Sequence, residues 1–166
     1  MHDYLLPKPP GTTGYALHRL VAGLLDGAPC LFADKGDHLV LRADRPFDGL
    51  AARPVREVAT GDILAFSLRA CVGAKVRGRH RYFPTQDWRA RHEWLGRQGE
   101  LHGFSLITVH CSAGIARIDK GDKVFTVDDT QFDGVLKVTD AARFEAALRT
   151  GIGNKGKAFG FGLLLV

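Results

Sequence analysis

The sequence predicts an α+β fold made of two tandem ferredoxin-like (RRM-like) domains, of which the first is reduced. In residues 61–166 the apolar pattern gives a strand, a helix, two strands, a helix and a strand, which is the ferredoxin-like order. Residues 1–60 give a strand, a helix and two strands before the pattern weakens. We therefore predict two domains, residues 1–60 and residues 61–166, with the boundary near Gly61.

The N-terminal domain opens with a short strand, residues 3–6, followed by a proline-rich break. Thr12 or Thr13 then provides an N-cap for a helix that runs to about Leu25, and Gly27 is a suitable helix end. One face of this helix carries apolar residues at helical spacing: Leu17, Leu20, Val21, Leu24 and Leu25.

A β-hairpin is predicted after this helix. Two apolar runs, residues 29–33 and 38–42, flank Asp34-Lys35-Gly36-Asp37. Residues 44–60 are rich in Arg, Pro, Ala and Gly and give no clear pattern. We expect a connection there, with a short strand at residues 55–58.

The C-terminal domain has a clearer pattern. Apolar residues alternate from Ile63 to Val72, which predicts a strand with one buried face. The elements predicted after it are a basic loop at 73–84, a helix at 86–99, strands at 104–118 and 123–138, a helix at 141–149 and a buried strand at 161–166. We expect Asp128-Asp129 to form a turn that interrupts the second long strand.

Composition indicates a cytoplasmic protein with a polyanionic partner. Lys and Arg exceed Asp and Glu by 23 to 18, a formal net charge of +5. The N-terminus lacks the apolar core of a secretory signal, and no stretch is apolar enough to span a bilayer. Three cysteines far apart in the sequence favour free thiols in a reducing compartment.

Positive charge is concentrated in two places. Residues 75–81 hold five basic or histidine side chains and no acid, which suits a polyanionic partner, although a solvated loop is the alternative. The glycine-rich segment, residues 151–162, carries Lys155 and Lys157. Its glycines let backbone N–H groups converge on an anion, although a flexible connection is the alternative. The segment has neither the Gly-Lys-[Ser/Thr] of a nucleotide-binding loop nor the context of a dinucleotide fingerprint.

Four segments together resemble the CRISPR repeat-processing endoribonucleases, in particular their CasE subgroup. Residues 157–164 (KAFGFGLL) are similar to the C-terminal signature of that subgroup, with a spacer at 154–156 that is one residue longer. Residues 62–70 and 134–140 are similar to parts of its second domain, and residues 14–19 (GYALHR) to its first-helix motif. The short first domain leaves open a compact or type IV variant.

The resemblance implies a metal-independent endoribonuclease without a cofactor. Tyr15 and His18 match the catalytic pair of the family's first helix. RNA supplies its own nucleophile, the ribose 2′-OH, so that cleavage leaves a 2′,3′-cyclic phosphate. His18 acts as general acid or base, Tyr15 orients the 2′-OH or stabilises the phosphorane, and Lys157 offsets charge on the phosphate. The residues expected to bind the RNA are Arg19, Lys75, Arg77, Arg79, Arg81, Gly151, Gly153, Lys155, Gly160 and Gly162.

The implied partners are the stem-loop of the CRISPR repeat and other subunits of a CRISPR effector complex, in which the protein stays bound to its product. No membrane is involved. Two alternatives stay open: a catalytically silent subunit that holds hairpin RNA in a ribonucleoprotein, and a small protein-interaction domain whose basic face is incidental.

No metal site is expected. The cysteine and histidine residues lack the paired spacing of zinc ribbons. A turn between strands explains Asp128-Asp129 and the nearby Asp133 better than a magnesium site does.

Overall fold

The computed structural model describes residues 1–26, 30–47 and 49–166 and has an α+β fold. The strands are β1 His2–Pro7, β2 Leu31–Asp34, β3 His38–Ala43, β4 Ala52–Pro54, β5 Ile63–Ala70, β6 Gly73–Val76, β7 Arg79–Tyr82, β8 Phe104–Asp119, β9 Val124–Val138 and β10 Leu164–Leu165. The helices are α1 Gly14–Leu24, α2 Trp88–His102, α3 Ala141–Thr150 and a 3-10 helix at Lys157–Phe159. Among the described residues, no helix is both long and apolar enough to cross a membrane.

The sheet topology confirms the predicted ferredoxin-like fold. One antiparallel sheet has the order β2-β3-β1-β4 and the other the order β10-β5-β9-β8. When the four strands of each sheet are renumbered 1 to 4 in chain order, the first sheet reads 2-3-1-4 and the second reads 4-1-3-2, which is the same order from the other edge. The first unit is reduced because the described residues between β3 and β4 form no helix. The division at residues 60 and 61 stays a prediction.

The N-terminal sheet packs against α1, as the periodicity of that helix predicts. Thr13 is the N-cap residue, and the helix buries Leu17, Val21 and the adjoining Leu25 against apolar residues of the first sheet. The chain connecting β3 to β4 contributes Phe47, whose ring meets that of Tyr4 edge to face at 4.8 Å. The predicted helix end at Gly27 and the start of the hairpin run at Pro29 lie outside the described residues.

The strand predicted at residues 55–58 is wrong. The strand is β4, residues Ala52–Pro54, whose side chains are all exposed and show no apolar alternation. It pairs with β1 alone, and Pro54 at its end cannot donate a backbone hydrogen bond. Val55 and Val58, which suggested the strand, pack against the core of the second sheet instead.

The turn predicted at Asp128-Asp129 is also wrong, because β9 runs unbroken through both residues. The Asp128 carboxylate lies 2.8 Å from a buried Arg91 guanidinium nitrogen and accepts a hydrogen bond from the backbone N–H of Val72. Asp129 accepts two hydrogen bonds from Arg69, at 2.7 and 2.6 Å. Ion pairing inside the sheet therefore satisfies two carboxylates whose presence in sequence favoured a turn.

The basic stretch predicted as a loop at 73–84 is a β-hairpin formed by β6 and β7. Arg77 and Gly78 at its turn both have positive φ, 49° and 79°, as a two-residue hairpin turn requires. Both strands lie at the surface with charged side chains, so no apolar alternation marked them.

The two sheets are joined by the buried side chain of Arg42 on β3. Its Nε and Nη2 donate to the two carboxylate oxygens of Asp3 at 2.7 and 2.8 Å. Its Nη1 donates to the main-chain carbonyl oxygens of Leu164, at 2.7 Å, and Leu148, at 3.3 Å. An apolar cluster that places Leu163 among residues of β2 and β3 lies at the same joint.

We expect Arg42→Met to lower the free energy of unfolding by about 3 kcal/mol or more, because it leaves a largely buried carboxylate and two carbonyls without their donor. The matched control is Arg149→Met, which removes the exposed ion pair between Arg149 and Asp44 across the same joint. That change should cost less than about 1 kcal/mol. Urea unfolding followed by circular dichroism measures both, and equal costs would contradict the role of Arg42.

Candidate active site

Tyr15 and His18 lie one turn apart on α1, on the side that does not face the first sheet. Their ring centroids are 5.7 Å apart, and both side chains are half-buried. Arg19, next to His18, is exposed. Leu17 and Val21 fix the opposite face of the helix in the core, so the orientation of the pair follows from the packing of α1.

The glycine-rich segment packs against the core at both of its ends and at Gly156, as a folded element and not a flexible connection. All five glycines in it have positive φ: Gly151, Gly153, Gly156, Gly160 and Gly162. A Cβ atom at Gly156 would lie 2.6 Å from Cys71 Sγ, and one at Gly160 would lie 2.9 Å from the Phe32 ring. These glycines are therefore needed both for backbone conformation and for close packing.

Hydrogen bonds fix both ends of this segment. Ile152 N–H donates to the carbonyl of Gly162 at 2.8 Å, and Gly162 N–H donates to the carbonyl of Arg69 at 2.7 Å. Among the hydrogen bonds of the described residues, none is donated by a backbone N–H of residues 153–158. Those N–H groups, with the exposed Lys155 beside them, are the ones available to an anion.

The 3-10 helix of the glycine-rich segment brings Lys157 and Phe159 to α1. The Phe159 ring meets the His18 ring edge to face, with centroids 6.2 Å apart. Lys157 Nζ donates to the carbonyl oxygens of Thr150, at 2.6 Å, and Gly151, at 3.3 Å, at the C-terminal end of α3. Burial lowers the pKa of the Lys157 ammonium from its ordinary value.

His18 and Lys157 line one cavity of about 750 Å³ between the two halves of the molecule. Its apolar wall includes Val21 and Phe32. Arg45 and Arg149, both exposed, add positive charge. The cavity thus combines a titratable imidazole, several cations and an apolar wall, and its size suits one nucleotide.

The β6–β7 hairpin presents Lys75, Arg77, Arg79 and Arg81 to solvent. Cross-strand pairing places Lys75 opposite His80, so that positive charge lies on both faces of the hairpin. Burial first, and then the Lys155 ammonium, lower the pKa of His80. The hairpin begins two residues after Cys71, which packs against Gly156, so it lies near the glycine-rich segment; no described contact places it beside Tyr15 and His18.

Sequence reasoning missed a lysine at the same site. Lys120, in the turn between β8 and β9, has its ammonium nitrogen 5.5, 5.9 and 5.6 Å from the ring centroids of Tyr15, Phe125 and Phe159. Only the long β8–β9 ribbon brings this turn to α1, and the sequence gives no signal of that contact.

Among the described residues, no group of three or more His, Cys, Asp or Glu side chains is placed to hold a metal ion. Asp133 is exposed and takes no part in the ion pairs that Asp128 and Asp129 form with arginines. Burial raises the pKa of Cys71 to about 12 and that of Cys30 to about 11. Both thiols are therefore protonated at neutral pH and are poor nucleophiles.

Comparison with known proteins gives one family and several structural neighbours. Residues 33–166 match the model of a family described as CRISPR associated protein. No curated protein matches the chain. Thermus thermophilus Cse3, bound to an RNA representing a pre-cleavage complex, has a TM-score of 0.80 at 22% identity, with 99% of this chain and 98% of that chain covered.

Two Escherichia coli structures are similar as well. The CRISPR-associated protein Cas6e from strain K-12 has a TM-score of 0.79 at 19% identity, with 99% of this chain and 98% of that chain covered. A chain of Cascade bound to a PAM-containing double-stranded DNA target has a TM-score of 0.66 at 20% identity, with 99% and 97% covered. At these identities the likeness shows a shared fold.

The packing of the glycine-rich segment is tested by comparing Gly156→Ala with Gly121→Ala. Both residues have positive φ, 78° and 86°, but a Cβ atom at Gly121 would meet nothing within 4 Å. We expect Gly121→Ala to lower the free energy of unfolding by about 1–2 kcal/mol through backbone strain alone. Gly156→Ala should cost about 1–3 kcal/mol more than that, because its Cβ would press against Cys71 and Phe161. Chemical denaturation measures both, and equal losses would show that the segment can yield.

Proposed function

This chain belongs to the CRISPR associated protein family, and from that premise we propose that it is a metal-independent endoribonuclease of the CasE subgroup that cleaves precursor CRISPR RNA. The observation that carries the proposal is that His18 on α1 and Lys157 of the glycine-rich segment line the same cavity, with Tyr15 one helical turn from His18. In this proposal residues 1–60 form the domain with the catalytic helix. Residues 61–166 form the domain with the basic hairpin and the glycine-rich segment.

The proposed partners are the hairpin of a CRISPR repeat and the other subunits of an effector complex. Support comes from the neighbours that share the fold: one is bound to RNA in a pre-cleavage complex, and another is a chain of Cascade. The three free cysteines are consistent with action in a reducing cytoplasm.

The reaction needs in-line attack and transfer of two protons. The ribose 2′-oxygen forms a bond to the adjacent phosphorus while the bond from phosphorus to the 5′-oxygen breaks. The 2′-hydroxyl loses a proton, and the leaving 5′-oxygen gains one. His18 carries the proton at one of these two oxygens, because a histidine exchanges protons near neutral pH. The products are a 2′,3′-cyclic phosphate and a 5′-hydroxyl.

Tyr15 and Lys157 act on the same phosphate in this proposal. The Tyr15 hydroxyl orients the 2′-OH or donates to the phosphorane. Lys157 uses two of its three ammonium protons on the carbonyls of Thr150 and Gly151, which leaves one to donate to a phosphate oxygen. A positive charge held there before substrate arrives offsets the negative charge that develops during attack.

The rest of the RNA is held by charge and by the shape of the backbone. Lys75, Arg77, Arg79 and Arg81 follow the phosphates of the stem, and Lys155 and Arg19 extend this positive surface. Gly151, Gly153, Gly160 and Gly162 contribute by fixing the conformation of the segment that the RNA approaches.

We expect His18→Ala to slow single-turnover cleavage of a repeat RNA by about 10²–10⁴-fold, with little change in RNA affinity, because it removes the proton-transfer group. His92→Ala is the matched control, since His92 is exposed on α2. Both are assayed with EDTA present, and the product ends are identified by mass spectrometry.

Three outcomes separate the proposal from its alternatives. The proposal is supported if the wild type and His92→Ala both cleave the RNA in the presence of EDTA and His18→Ala does not. Tight binding without cleavage of any candidate repeat leaves the catalytically silent subunit, and no affinity for hairpin RNA at low salt excludes both RNA functions.

The hairpin's role is tested by the salt dependence of binding. Replacing both Arg77 and Arg79 by Gln should reduce the slope of log K against log salt by about 2, roughly one unit for each phosphate that is no longer neutralised. Arg97→Gln, on an exposed position of α2, should leave the slope unchanged. Equal slopes for all three proteins in filter-binding titrations would remove the hairpin from the RNA interface.

A further inference from the structure

The turn between β8 and β9 inserts a cation among three aromatic rings at the candidate active site. We call Tyr15, Phe125 and Phe159, together with the Lys120 ammonium that they surround, the three-ring cluster. The ammonium nitrogen lies 5.5–5.9 Å from each ring centroid. We infer that Lys120 is a positioning residue for RNA cleavage, which holds the Tyr15 side chain in place; the inference rests on the proposed function.

The cluster joins three elements that are far apart in the sequence. Tyr15 comes from α1, Phe125 from the β8–β9 ribbon and Phe159 from the 3-10 helix. Phe125 and Phe159 also meet edge to face, with centroids 6.0 Å apart. The candidate catalytic tyrosine is therefore in contact, through one ammonium group, with both of the other elements.

The ribbon is held against α1 independently of Lys120. Gly14, which has a φ of 51°, lies where an added Cβ would be 3.6 Å from Ile118 Cδ1 and 3.7 Å from the Arg117 carbonyl oxygen. This packing sets the position of the turn, and the ammonium then acts on the Tyr15 ring. Substitution of Lys120 should for that reason leave the fold intact.

The physical basis is the attraction between a cation and the negative face of an aromatic ring, which is effective within about 6 Å of the centroid. Three rings at that distance favour one position of the ammonium and, reciprocally, one orientation of the mobile rings. Among the described residues, Lys120 forms no ion pair within 4.0 Å. Without this contact, the half-buried Tyr15 side chain would be less restricted to one rotamer, and misplacement of a catalytic group by about 1 Å is costly in rate.

The same turn supplies a matched control. The backbone N–H of Lys120 donates to the carbonyl oxygen of Lys123 at 2.9 Å, and the side chain of Lys123 is exposed. No described aromatic ring lies under its ammonium. Lys120→Met and Lys123→Met thus remove the same charge from the same turn, and only the first removes a cation from the rings.

The experiment measures single-turnover cleavage and RNA affinity separately. We expect Lys120→Met to slow cleavage by about ten-fold, while its Kd for RNA changes no more than that of Lys123→Met. Lys120→Arg should recover most of the rate, because guanidinium also binds ring faces. In a Tyr15→Leu background, Lys120→Met should cost less than about a factor of two, since the residue through which it acts is gone.

A readout without cleavage separates this inference from the proposed function. Ring currents should shift the ε-methylene protons of Lys120 upfield of those of Lys123 in NMR spectra, and Phe159→Leu should reduce the shift. If the wild type cleaves RNA and Lys120→Met cleaves at the full rate, the inference is overturned and the proposed function stands. The same follows if Lys120→Met slows cleavage equally in the wild-type and the Tyr15→Leu backgrounds. If the wild type does not cleave RNA although the Lys120 ε-methylene protons show the upfield shift, the proposed function is overturned, and the role of Lys120 in cleavage with it.

Discussion

A single guanidinium group, that of Arg42, hydrogen-bonds to both halves of the molecule, and the geometry of the candidate site depends on it. Two of its nitrogens are fixed by Asp3 within the first sheet, and the third donates to carbonyls of α3 and β10. Because α1 packs on the first sheet and the glycine-rich segment follows α3, this joint contributes to the relative position of His18 and Lys157, together with the contact between the His18 and Phe159 rings. Neither half carries a complete site alone.

The two halves contribute different chemistry. In the proposed reaction, the first supplies side chains that move or orient protons, on a helix whose other face is buried. The second supplies positive charge on a segment whose conformation is fixed by left-handed glycines and by contact with Phe32 and Cys71. The β8–β9 ribbon then reaches back to α1 with Lys120. In the proposed reaction, proton transfer and charge stabilisation therefore meet at an interface and not within one domain.

Periodicity predicted the elements that bury one face. The alternation in β5 and the helical spacing in α1 were sufficient because burial selects apolar residues at regular intervals. Periodicity failed where burial does not select apolar residues. The strand β4 and the β6–β7 hairpin are exposed, and the buried Asp128 is compensated by its ion pair with Arg91 and by hydrogen bonds. Resemblance of short motifs indicated Tyr15, His18 and Lys157, whereas Lys120 depends on a contact between distant residues that no local pattern encodes.

The folded state of the glycine-rich segment affects how tightly and for how long the proposed enzyme holds its RNA. A loop that is already ordered loses little conformational entropy when RNA binds, so more of the contact energy appears as affinity. Cleavage at one phosphodiester leaves the stem and its contacts with the basic hairpin unchanged, so that product and precursor share nearly the same dissociation rate. Where that shared rate is slower than the chemical step, the proposed enzyme acts once and remains on its product as a lasting component of the particle it helps to make.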